Sequence, residues 1–170
     1  IETSYPFDSL KPMRFGAFDE YNRGVFVVRA GTGTGKTYHA IRMCMREKRK
    51  GRKTALIGNL ISVVRQHKPK NVKLALYDDE MHRIEDADHF SLTINAITND
   101  FHYYKLKQTD TIIFDECEKV LQALYDPNVT YIPLKQKLII RSRIGELLED
   151  RQKKLIFMDA DASDRVTSAF

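Results

Sequence analysis

A chain of 170 residues, 42% hydrophobic and 30% charged, has the size and balance of one compact globular domain, which excludes disorder and a membrane-embedded protein. The net charge of +5 permits a polyanionic partner without proving one. Two cysteines, Cys44 and Cys117, are too few for a disulfide framework, and both sit in apolar-periodic segments, which points to a reduced, intracellular compartment.

The sequence starts without Met, so the chain reads as a piece of a longer protein. Residues 1–24 carry Pro6, Pro12 and Gly16 with no clear periodicity and read as a lead-in segment; residues 25–170 form the domain. A β-rich run at 25–30 ends in glycines, and Ala40, Ile41, Cys44 and Met45 then recur at helical spacing. The pattern repeats with a buried strand over 54–57, a helix over 60–66 and a strand over 72–77. A helix follows over 94–104, with Ile94, Ile97, Phe101 and Tyr104 as its core stripe, although the mixed aromatics and cations of 101–107 would also suit a stacking surface for bases. Next come a strand over 111–114, a helix over 119–124, a helix of mixed charge over 135–153, and a strand over 155–158. Strands alternating with helices predict an α/β fold of three layers around a mostly parallel central sheet, with ligands bound at its carboxyl edge. The basic run at 46–53 reads as a solvated helix end, where cations suit the helix dipole.

Residues Ala30, Gly31, Thr32, Gly33, Thr34, Gly35, Lys36 and Thr37 fit the P-loop pattern with Ala at its first glycine position. Glycines let the backbone curl until successive N–H groups face phosphate oxygens, and the helix that follows adds its dipole. Lys36 is then placed to reach the β- and γ-phosphates of ATP, and the Thr37 hydroxyl to bind Mg²⁺. A dinucleotide fingerprint fits less well, because the glycines are spaced G-x-G-x-G and Lys-Thr has no role there. Downstream, Asp115 and Glu116 end an apolar strand. Asp115 can hold the magnesium shell, and Glu116 can polarise an attacking water. The five histidines lack metal-ligand spacing, and no zinc site is expected.

The box Asp115-Glu116-Cys117-Glu118 resembles the D-E-x-x box of superfamily 2 helicases and translocases. Together with the phosphate loop and the run Met158-Asp159-Ala160-Asp161-Ala162-Ser163, it resembles the replication-origin-binding helicases of herpesviruses and their phage and plasmid relatives. The resemblance implies a P-loop NTPase domain of the RecA-like kind, serving as the first ATP-binding lobe of a motor that acts in DNA replication. It implies nucleic acid as partner, DNA ahead of RNA, and the cytoplasm of a cell, an infected host cell included; no membrane is expected, because no apolar run approaches the length needed to cross a bilayer. A second lobe, beyond Phe170, would supply arginines to the γ-phosphate. Asp159, Asp161 and Ser163 would couple the γ-phosphate site to the nucleic acid, and Thr93 would give a hydroxyl to its backbone. The segment 58–66, where a nucleic-acid-contacting motif is expected, lacks the basic start of that group. Two other readings use the same loop: a small-molecule or nucleoside kinase, with Arg141, Arg143 and Arg151 as a phosphate-clamping lid, and a nucleotide-sensing or DNA-docking module that never turns over.

Overall fold

The computed structural model describes residues 2–4, 21–29, 31, 33, 35–59, 75–76 and 84–160. The described strands are β1 (Glu2–Ser4), β2 (Gly24–Arg29), β3 (Thr54–Gly58), β4 (Ala75–Leu76), β5 (His89–Thr93), β6 (Thr111–Asp115) and β7 (Lys154–Asp159). The helices are α1 (Lys36–Arg49), α2 (Asp100–Lys107), α3 (Cys117–Tyr125) and α4 (Leu134–Glu149), with a 3-10 turn at Ile94–Thr98. All the strands join one sheet in the order β1-β2-β7-β6-β3-β5-β4, and every pairing is parallel. Five longer strands from β2 to β5 form its body, with β1 and β4 as short edges.

Alternation along each strand builds the layers. Phe26, Val28, Leu56, Ile113, Ile156 and Met158 pack with Ala40, Ile41, Met43 and Cys44 of α1 on one face. Their neighbours Ala55, Ile57, Ile112, Phe114, Leu155 and Phe157 meet α3, α4 and the 3-10 turn on the other. A strand buried on both faces reads as a continuous apolar run, as these do. Phe114 and Phe157 are register partners, and their rings stack at 4.6 Å. The α/β three-layer architecture expected from the sequence is therefore the one observed. Among the described residues no helix is long and apolar enough to cross a membrane.

Three local expectations are corrected. The helix expected over 94–104 is two elements. Asn99 is extended and caps α2, its side chain accepting from the backbone N–H of Phe101 and His102. The new phase exposes Phe101 and Tyr104 and buries His102 and Leu106, so the core stripe stops at Ile97. The helix expected over 135–153 stops at Glu149, because a turn at Asp150 is needed to enter β7. A strand, β5, stands where none was expected. The helix expected over 60–66 lies outside the described residues, and of the strand expected over 72–77 only β4 lies within them.

The basic run that closes α1 contains one acid, Glu47, and that acid is internal. Glu47 has no exposed side-chain surface; its Oε2 accepts from Arg52 Nε at 2.6 Å and Thr111 Oγ1 at 2.9 Å, and the buried Lys154 ammonium lies 4.0 Å from Oε1. Burial pushes the Glu47 carboxyl up, but the hydrogen bonds from Arg52 and Thr111 and the charges of Lys154 and Arg52 outweigh it and hold it below its ordinary 4.5. Glu47→Gln should therefore destabilise the fold by about 3 kcal/mol at pH 7, because Arg52 and the buried Lys154 ammonium lose the buried carboxylate charge they face. A carboxyl with a lowered folded value stabilises fully above its unfolded value and loses that contribution as pH falls through the folded one. Urea titrations of both proteins should thus converge only as pH falls below the ordinary carboxylate range. Equal stability at pH 7 would show that Glu47 is not the counter-ion.

Candidate functional site

Three chemically distinct groups meet at the carboxyl edge of β2, β7 and β6. The first is the loop leaving β2. Gly33 and Gly35 both have φ +76, and a side chain there would strain the backbone although no atom lies close enough to clash. Gly35 is the N-cap of α1, and its carbonyl accepts from the His39 N–H at 2.9 Å. Lys36 turns back over the loop, its Nζ donating to the Gly31 carbonyl at 2.9 Å. The ammonium thus spans from the start of α1 back to the first described glycine of the loop. Gly31, Gly33 and Gly35 are described residues; Thr32 and Thr34 lie outside them.

The second group joins α1 to β6. The Thr37 hydroxyl donates to Asp115 Oδ2 at 2.8 Å. Because β7 lies between β2 and β6, their ends are about 10 Å apart. The loop and first turn of α1 close that gap. Asp115 is only 2% exposed. A hydroxyl and a carboxylate held at this distance are hard oxygen donors of the kind Mg²⁺ accepts. No three His, Cys, Asp or Glu side chains converge among the described residues. A cation at Thr37 and Asp115 would accordingly fill its shell with water and substrate oxygens, as Mg²⁺ does when it arrives with a nucleotide.

The third group is Glu116, the N-cap of α3. It sits at φ 53 and ψ 51, the one non-glycine positive φ among the described residues. A side chain in that region costs of order 1 to 3 kcal/mol and persists where the surroundings hold it. Here they do. The Glu116 N–H donates to Asp115 Oδ1 at 3.1 Å, and the Val120 N–H donates to the Glu116 carbonyl at 3.2 Å. The Glu116 Oε2 accepts from Lys119 Nζ at 3.0 Å, and about a third of the side chain is exposed. Burial, and then the charges of Asp159 and Glu118, push the Cys117 thiol up, so it stays protonated beside the acids.

Asp159 ends β7 and accepts the Glu118 N–H at 2.8 Å, tying the start of α3 to the neighbouring strand. Asp161 and Ser163 lie outside the described residues. Thr93 ends β5 on the same edge, 8% exposed, in register with Gly58 and two strands from Asp115. The structure thus joins Lys36 to Gly31, Thr37 to Asp115, and Asp159 to the acidic box, and leaves Thr93 apart from them.

The arginines considered for a kinase lid are committed elsewhere. Arg141 donates to the Leu124 carbonyl and lies over the Tyr125 ring. Arg143 donates to the Ile97 carbonyl, pairs with Asp100 and lies over Tyr103. Arg151 lines a cavity of about 440 Å³ with Arg23, Val25 and Lys153, where β2 and β7 begin, at the opposite edge of the sheet. Lys119 was missed by sequence reasoning, although an i, i+3 acid–base pair at the start of a helix was available as its signal. No protein-family model matches the chain. No curated protein sequence matches it either.

Proposed function

We propose that this chain binds magnesium-ATP and hydrolyses it, as the first motor lobe of a nucleic-acid helicase or translocase. The observation that carries the ATPase reading is the 2.8 Å contact between Thr37 and Asp115, made by the residue after the loop lysine and the strand-end acid that precedes Glu116. When bound, Mg²⁺ would neutralise charge on the β- and γ-phosphates. Lys36 would hold the same phosphates from the loop side, and the α1 N-terminus would face them with its N–H groups. Glu116, released from Lys119, would take the proton of a water aimed at the γ-phosphate. Asp159 would pass movement at the γ-phosphate side into β7 through its contact with the start of α3.

The helicase reading adds the order of the motifs along one sheet edge. An arginine from a second lobe would complete the charge around the γ-phosphate, an addition worth roughly 10³ to 10⁵ in rate. Residues 1–170 alone should therefore turn over slowly, unwind nothing and bind single-stranded DNA in a salt-sensitive way. The test follows the label of γ-labelled ATP in the presence of single-stranded DNA and of nucleoside acceptors. Release as inorganic phosphate is expected. Transfer to an acceptor hydroxyl would make the chain a kinase, and robust unwinding by the chain alone would contradict the one-lobe reading.

A further inference from the structure

The first turn of α1 carries, beyond Lys36 and Thr37, an aromatic that neither the fold nor the phosphate chemistry uses. Tyr38 is 60% exposed and contributes nothing to the core. It follows Thr37 directly, and helical side chains lean toward the N-terminus, so it leaves the helix close to Gly35, the last glycine of the phosphate loop. The loop confirms the closeness: a Cβ on Gly35 would lie 4.0 Å from both Tyr38 Cβ and His39 Cδ2. One face of the Tyr38 ring is occupied by the Arg42 guanidinium, 5.8 Å from the centroid and one helical turn on. The His39 ring meets Tyr38 edge-on, 5.8 Å between centroids. The ring is thus braced by Arg42 and His39, and more than half of the residue stays exposed.

Thr37 and Asp115 mark the sheet side of α1, where the β- and γ-phosphates would lie. The nucleoside hangs from the other end of the triphosphate, and Tyr38 lies about 100° on from Thr37 around the helix, on the solvent side. We propose that Tyr38 is the stacking platform for the nucleobase, with Arg42 holding the ring in place. This rests on the ATP reading and deepens it. Every base has a π-face, so a stack of this kind strengthens binding without selecting among bases. It assigns ATP and GTP the same gain over a bare phosphate chain, and leaves base selection to other contacts.

The test compares ATP, GTP and inorganic tripolyphosphate, each with Mg²⁺, on wild type, Tyr38→Ala and Tyr38→Phe. Tyr38→Ala should weaken ATP and GTP about tenfold each, the scale of one base–aromatic stack, and leave tripolyphosphate unchanged. Tyr38→Phe keeps the ring and should bind all three as wild type does. If Tyr38→Ala binds ATP as wild type does, or loses ATP and tripolyphosphate equally, the platform is wrong while the phosphate site stands. If wild type binds neither ATP nor tripolyphosphate, the phosphate site itself falls and the platform with it. Circular dichroism melts that coincide for the three proteins show that the fold is held constant.

Discussion

Glu116→Gln should bind magnesium-ATP as wild type does and hydrolyse it about a hundredfold to ten-thousandfold more slowly, the usual contribution of a positioned base. The amide keeps the shape and the hydrogen-bonding capacity of the side chain, and it keeps the left-handed backbone at the start of α3. It cannot accept a proton from water at neutral pH. The substitution also breaks the Lys119 ion pair, but that pair is solvent-facing on both sides and contributes at most about 1 kcal/mol to stability. A rate loss far beyond any loss of stability therefore reads out chemistry. Stopped-flow binding of a fluorescent ATP analogue beside steady-state phosphate release separates the two. Equal turnover by wild type and Glu116→Gln would remove the base assignment.

Lys36→Ala has the second large effect. It removes the ammonium that bends back onto the Gly31 carbonyl, and nothing else in the described loop carries a positive charge. ATP affinity should fall about tenfold to a hundredfold, the range for losing a hydrogen bond to a charged group, and turnover should drop to background. The fold should survive. Lys36 touches the Gly31 carbonyl and belongs to neither core cluster, so its loss costs no apolar packing. Normal turnover by Lys36→Ala would place the active site elsewhere.

What the sequence made legible follows from how local each signal is. The loop from Gly31 to Thr37 announces itself because glycines, a lysine and a hydroxyl occupy fixed places between an apolar run and a helical one. Asp115 and Glu116 are legible for the same reason, as acids that end a strand. The pairing of those two signals in space is not local: it depends on β7, far along the chain, inserting between β2 and β6. The break at Asn99 went unread because the capping signal is one side chain inside an apolar pattern that continues in helical phase across it. Glu47 was read as part of a solvated basic run, since burial of an acid is set by partners such as Lys154, more than a hundred residues away. The unusual backbone at Glu116 has no sequence signal, for nothing in the residue type marks a positive φ.

The central claim is that Thr37 and Asp115 mark a place for a metal that comes with a nucleotide. Calorimetric titration of residues 1–170 with ATP, in Mg²⁺ and again in excess chelator, addresses it directly. The account predicts one saturable site per chain in Mg²⁺, weakened when the metal is removed, and a loss of that metal dependence in Asp115→Asn. Saturable ATP binding that is indifferent to Mg²⁺, or an Asp115→Asn protein with the wild-type metal dependence, would contradict it.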